Sequence, residues 1–485
     1  MRRTINNQCF LNYVLFIGVA LLFTFLFSTT TSPLYEGWRF WYGGDSAIFQ
    51  EMGLCILYGK TPYIDFFDHK GPLLFFPQAL GLLISKQWGI MFLQAISLTI
   101  TLIFLYKTIK LFVKKQLKTY SILFFILLVL FVYYQRGNTS EEWCLPALSV
   151  CIFLFYKRQK NNDNIHIGDW VLYGICIGYI FMIRANSSAP IVGLLCYYFL
   201  EQIKKKQYIQ IAKGICILFC TILSLIGIAT LLFYIIYGKD ATIEMLYGTF
   251  VFNILYLNAP IGRPTTSQII KFLLPIAIFI SLILFNKHHH PSQISSSLII
   301  SIIVSLLSCG TRCFEHYIII FVPLFTVAIC LIDEFKLKEI IHLCILLVLC
   351  FITVKPTLNC LITRLYNEKN TTSFTYKFHD FINSLPETEK NSIFNYHASI
   401  PVYLFVNDQL LQYSRIAFPA HFTVSSRLVQ FESNNGVCQK KPKWIIVKDD
   451  CPFSQKDSSF IKNNYYIANT IEDKNTRVFC LKSYK

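Results

Sequence analysis

The chain has 485 residues, of which 54% are hydrophobic and only 15% charged, with a mean hydropathy of +0.49. Soluble globular chains carry about 25% charged residues, so this composition excludes a wholly water-soluble protein and makes lipid the solvent for much of the chain. The formal net charge of +17 falls in short Lys/Arg clusters between apolar runs, the pattern of cytoplasmic membrane loops, which argues against nucleic acid as a partner.

Arg2 and Arg3 precede an apolar run over 10–27. The run is long and no A-x-A step follows it, so it reads as a retained signal anchor rather than a cleaved signal peptide. Further apolar runs give about eleven predicted spans, each near the length a bilayer requires: 10–30, 88–106, 119–135, 143–156, 168–183, 188–201, 211–237, 268–286, 294–309, 316–333 and 338–355. Alternation from a cytoplasmic N-terminus puts the clusters at 107–118, 157–160, 204–206 and 336–338, with Lys287, on the inside. The outer loops are left poor in basic residues, as the positive-inside rule requires. The apolar stretch 71–85 is too short to cross, at ~22 Å as a helix. It is expected to be half-inserted or juxtamembrane on the outer side. The first outer loop then runs over 31–87, and a loop of that length is usually functional.

Most of the 17 cysteines lie inside apolar runs, where a free thiol packs as a small hydrophobe. No CxxC pair signals a zinc or redox site. Beyond residue 355 the chain turns polar, with β-like runs at 392–396, 444–448, 465–470 and 478–481, the last a partner for the one before it, and apolar positions at Phe378, Phe381 and Ile382 that suggest a helix. Residues 356–485 therefore read as a small α/β domain on the outer face, after a membrane domain over 1–355. In an oxidising compartment Cys360, Cys438, Cys451 and Cys480 would be candidates for pairing.

The chemistry-bearing segment is the first outer loop. Asp45 follows Gly43 and Gly44 and precedes a helix-like run in which Ile48, Met52 and Ile56 fall one turn apart; Gly59 and Pro62 break that helix; Asp65, Asp68, His69 and Lys70 then gather before Gly71 and Pro72. A carboxylate can take a proton from an acceptor hydroxyl, and a lysine can neutralise a departing phosphate. Plainer readings stand beside these. Asp45 and Asp68 are also fit to cap helices, Asp65 is a turn residue, Lys70 is fit to snorkel, and Glu141 and Glu142 to face water. A lone His316 at the end of a span suits an interfacial belt as well as a cavity, and His288–His290 suit a solvated loop.

Several segments together resemble the GT-C glycosyltransferases, in the branch of protein O-mannosyltransferases and lipid A aminoarabinose transferases. They are Asp45, the G-x-x-PY step of Gly59, Pro62 and Tyr63, the turn Asp68–Lys70–Pro72, and the stretches Arg136–Ala147, Gly178–Pro190 and Glu315–Phe325. The resemblance covers roughly residues 10–335, with Gly71 standing where the family usually has a proline. It implies a GT-C-like α-helical membrane fold and an inverting transfer from a polyprenyl-phosphate-linked sugar on the outer face of the bacterial inner membrane, to an envelope glycan, a glycolipid or a protein. It casts Asp45 as general base with Asp68 as the second catalytic carboxylate. It gives the donor phosphate to Lys70, with Arg184 or Arg136. It places His69, Glu141, His316 and Tyr317 along the substrate cavity. It implies no metal and no cofactor. Two other classes compete. A lipid or polysaccharide transporter or flippase would set polar, broken-helix sites near the midplane in related halves. A glycan polymerase or ligase would carry its large loop later in the chain.

Overall fold

The computed structural model describes residues 2–28, 44–134, 137–257, 264–285, 292–310, 313–332, 381, 384–390, 392–396, 437, 441–448, 455–468 and 476–482. Among these residues, seven helical stretches are long and apolar enough to cross a membrane: Phe10–Phe27, Gly89–Phe112, Gln116–Tyr133, Ile167–Lys204, Tyr208–Leu255, Thr266–Phe285 and Ser292–Cys309. The chain is a multi-helix membrane protein with a small C-terminal sheet. The difference from about eleven predicted spans has local causes. The spans at 168–183 and 188–201 are two helices joined by a single 3-10 turn. The span at 143–156 belongs to a helix with Glu141 and Glu142 at its start and Lys157, Arg158 and Lys160 at its end. The span at 316–333 opens as a 3-10 helix and leaves a shorter apolar stretch, Glu315–Cys330. The run at 338–355 lies outside the described residues, as does the boundary at 356.

The chain forms two compact units. The first comprises Met1–Ser28, Met91–Thr230 and Gly262–Ile362. It holds α1 (Arg2–Phe27), most of α4 (Gly89–Phe112), α5 (Gln116–Tyr133), α6 (Ser140–Lys160), α7 (Ile167–Arg184), α8 (Ala189–Lys204), the greater part of α9 (Tyr208–Leu246), α11 (Thr266–Phe285), α12 (Ser292–Cys309) and α13 (Val322–Cys330). Hydrogen bonds between helices lock this bundle where lipid offers no polar partner. Ser301 Oγ donates to Pro190 O (2.7 Å) between α12 and α8, and Asn12 Nδ2 donates to Tyr106 Oη (3.0 Å) between α1 and α4.

The second unit comprises Thr29–Ile90, Leu231–Ile261 and Thr363–Lys485. It contains α2 (Gly44–Leu57), α3 (Pro72–Ile84), the end of α9 and α10 (Phe252–Leu257). The predicted run after Asp45 is α2, with Ile48 and Met52 buried. The predicted short outer helix is α3, 13 residues long with Pro72 in its first turn. The four-stranded sheet has the order β1-β2-β4-β3, from β1 (Ile393–Tyr396), β2 (Trp444–Lys448), β3 (Tyr465–Ile467) and β4 (Thr476–Leu481). β1 runs parallel to β2, and β4 runs antiparallel to both neighbours with Tyr465 opposite Leu481. Phe394, Ile445 and Val447 point to one face and bury against Ile461 of the helix Gln455–Asn464 and Tyr465. Cys480 is a buried free thiol, while Cys360, Cys438 and Cys451 fall outside the described residues.

Candidate active site

The first-loop cluster is built by the close packing of α2 on α3. At Gly53 an added Cβ would lie 2.6 Å from Gln78 Cβ and 2.7 Å from Ala79 N, so only glycine permits this approach. α2 ends at Leu57, and in the turn after it Gly59 has a φ of 72° that suits glycine without strain. The chain then folds back on itself. Asp65 is the expected turn residue, its Oδ2 accepting from Thr61 N at 2.7 Å. Tyr63 takes a left-handed φ of 65° and is buried against Phe67, Phe75 and Phe233.

The turn that follows brings three predicted residues together. Asp68 is only 4% exposed, and its Oδ1 accepts from Lys70 N at 2.8 Å. His69 Nδ1 lies 3.8 Å from the same oxygen, and His69 Nε2 lies 2.6 Å from Lys70 Nζ. Two further bonds fix the peptide: Tyr63 Oη donates to Lys70 O (2.7 Å) and Asn253 Nδ2 donates to His69 O (2.8 Å). Asp68 does not cap α3; its N-cap is Gly71, without a side-chain bond. Burial pushes the Asp68 carboxyl up to about 6, against the pull of the Lys70 charge and its backbone N–H, with Asp45 adding a further upward push. Asp45 itself stands exposed in the first turn of α2 and accepts no hydrogen bond among the described residues. Glu51, on the same helix, is fully buried with neither carboxylate oxygen partnered among the described residues, and burial raises its carboxyl well above the usual range.

The first unit holds the other predicted group. α7 ends at Arg184, where the backbone turns extended before the 3-10 turn Ala185–Ser188, and Pro190 opens α8. The Arg184 guanidinium pairs with Glu141, bonds Asn186 Oδ1 at 2.9 Å and lies 4.1 Å over the Tyr317 ring. Glu141 is 1% exposed; His316 Nε2 stands 3.8 Å from its Oε1, and Ser140 Oγ donates to its Oε2 at 3.0 Å. Glu142, next along α6, is buried too. It accepts from Tyr134 Oη (2.8 Å), Gln94 Nε2 (2.9 Å) and Asn138 N (2.6 Å). The reading that these two glutamates face water is thereby corrected: both are buried, Glu141 paired with Arg184 and Glu142 holding donors from Gln94 and Tyr134. Arg136 and His288–His290 lie outside the described residues.

Comparison with known proteins fits this arrangement. Residues 69–234, a stretch that begins at His69 of the first-loop turn and includes Arg184, match the family described as dolichyl-phosphate-mannose-protein mannosyltransferase. Over these residues the chain is similar to that family of membrane glycosyltransferases. None of the curated proteins matches the chain in sequence. Among solved structures it shares its fold with ArnT from Cupriavidus metallidurans in the apo state (TM-score 0.60, 12% identity, 96% of this chain and 97% of that one). The likeness to the same ArnT bound to undecaprenyl phosphate is equivalent (TM-score 0.59, 12% identity, 96% and 97%). The apo oligosaccharyltransferase of Archaeoglobus fulgidus is also similar (TM-score 0.52, 12% identity), with 90% of this chain aligned to 70% of that one. At such identity these likenesses speak for fold.

Sequence reasoning thus named Asp45, Asp68, His69 and Lys70, which the second unit brings together, and Glu141, Arg184, His316 and Tyr317, which the first unit brings together. It missed Asn253 and Glu51. Asn253 sits beside a π-helical stretch, Tyr247–Val251, a local irregularity common at functional sites but invisible in an apolar run.

Proposed function

We propose that the protein is an inverting glycosyltransferase that moves a sugar from a polyprenyl-phosphate donor to a hydroxyl of an envelope glycan, a glycolipid or a protein, on the outer face of the bacterial inner membrane. In this reading the N-terminus is cytoplasmic, and the first loop and the C-terminal sheet are periplasmic. Asp45 removes the acceptor's hydroxyl proton; the oxygen bonds to the anomeric carbon as its bond to the phosphate oxygen breaks; and the lipid phosphate leaves with its charge offset by Lys70. The exposure of Asp45 suits a base that must meet an incoming acceptor. The buried setting of Asp68 suits a group that holds the lysine. The donor phosphate goes to Lys70, which stands in the turn beside Asp68, while Arg184 pairs with Glu141 and lies over the Tyr317 ring.

The observation that carries the proposal is the Asp68–His69–Lys70 turn: a cation held beside carboxylates at the start of a short apolar helix. The fold shared with ArnT, solved with undecaprenyl phosphate, supports a polyprenyl phosphate as the donor's lipid. Membranes carrying the protein are to be given labelled polyprenyl-phosphate sugars, and the product's anomeric configuration determined. Transfer with inversion is expected. Transfer from nucleotide sugars in place of lipid-linked ones, or retention of configuration, would refute the reading.

A further inference from the structure

His69 has a geometry that lining a cavity does not explain. A lysine ammonium donates hydrogen bonds and cannot accept them, and Lys70 Nζ lies 2.6 Å from His69 Nε2. That nitrogen therefore presents its lone pair, and the imidazole is neutral with its proton on Nδ1. Nδ1 is also the nitrogen nearer the carboxylate, 3.8 Å from Asp68 Oδ1, where negative charge favours an N–H. The tautomer is fixed from both sides. The ring is buried, with Phe252 at 5.9 Å between centroids. The carbonyls of His69 and Lys70 are held by Asn253 and Tyr63, and the Lys70 N–H by Asp68.

We propose that His69 is a positioning residue for the donor phosphate: a neutral imidazole, protonated on Nδ1, that takes one N–H of the Lys70 ammonium and aims that cation, while Asn253 and Tyr63 hold the peptide on which both side chains stand. The inference rests on Lys70 being the phosphate's partner. A four-carbon stem otherwise spreads its charge over many rotamers. An acceptor at one fixed point selects a rotamer before the donor arrives. It also favours the charged form of the amine.

The test uses the full-length protein in membranes and compares His69→Phe, which keeps a ring without an acceptor, with His69→Gln, whose Oε1 reaches the place of Nε2. His69→Phe is expected to raise the KM for the polyprenyl-phosphate sugar roughly tenfold, the ratio expected for one charge-assisted hydrogen bond, with kcat and the acceptor KM within about threefold. His69→Gln is expected to return the donor KM to within about threefold of wild type. Equal defects in the two variants, or a defect in kcat or acceptor KM alone, would overturn the proposal. If His69→Phe is not recovered from membranes, His69→Leu takes its place in the same comparison. A second readout needs no turnover: acylation of Lys70 by a small amine-reactive reagent, followed by mass spectrometry of the purified protein. Acylation consumes the neutral amine, so His69→Phe is expected to label faster than wild type and His69→Gln at the wild-type rate. Equal labelling in all three overturns the positioning role. The expected labelling pattern, together with no transfer from any lipid-linked sugar, would remove the proposed donor and leave the positioning role standing.

Discussion

Asp45 and Asp68 are two carboxylates with opposite surroundings, one exposed in the first turn of α2, the other buried and tied to the Lys70 backbone. Burial holds the Asp68 carboxyl at about 6, so its charge is present above that pH and lost below it. We therefore expect kcat/KM to fall as pH drops through about 6, and Asp68→Asn to be less active and to lack this limb. An unchanged limb in Asp68→Asn would assign it to another group. For stability the sign reverses. A carboxyl whose folded value lies above its unfolded value near 3.9 stabilises most when protonated in both states, and that contribution declines as pH rises through about 6. Asp68→Asn keeps an Oδ1 acceptor for Lys70 N, so at pH 7.5 it is expected to unfold at the wild-type temperature or above. Glu51 follows the same logic, being buried, without a hydrogen-bond partner among the described residues, and raised by burial. Glu51→Gln is expected to match or exceed wild-type thermal stability at pH 7.5, and a clear loss would show that a charge is needed there.

At the scale of elements, the close approach of α2 to α3 places the Asp45 helix beside the Asp68–Lys70 turn. Gly53→Val would drive side-chain atoms into the backbone at Ala79 and is expected to lower kcat/KM on the order of 10²-fold, as misplacement by about an ångström can, while the protein still inserts into membranes. Wild-type activity in Gly53→Val would show that this packing does not set the geometry. These elements were legible because their signals are local. Asp45 with Ile48 and Met52 announces α2, Pro72 and the short apolar run announce α3, and short β-like runs in a polar stretch announce β2 and β4. The long-range bonds were not legible. Asn253 reaches His69 across 184 positions, and Glu142 takes its donors from Gln94 and Tyr134. No spacing rule connects residues that meet only after the helices pack. The pairing of Arg184 with Glu141 is of the same kind, although each was picked out separately.

For the whole molecule, the charge pattern predicts sidedness. Tyr58, on the first loop, and Asn161, after the Lys157–Lys160 cluster, are both exposed, so cysteines introduced there report it. A membrane-impermeant thiol reagent added outside intact spheroplasts is expected to label Tyr58→Cys and to spare Asn161→Cys. The opposite pattern would invert the topology and move the candidate site to the cytoplasm. The small C-terminal sheet was legible from composition, because its short apolar runs stand in a chain that has turned polar. The number of spans was less so. Hydropathy counts apolar runs, whereas the structure joins two of them through the Ala185–Ser188 turn and shortens another with a 3-10 opening.

The account rests on a carboxylate of the first loop activating the acceptor. The most direct test is steady-state transfer from a labelled polyprenyl-phosphate sugar by wild type and Asp45→Asn at matched expression. The expected result is a fall in kcat of about 10²–10⁴-fold with the donor KM little changed. Full turnover in Asp45→Asn would contradict it.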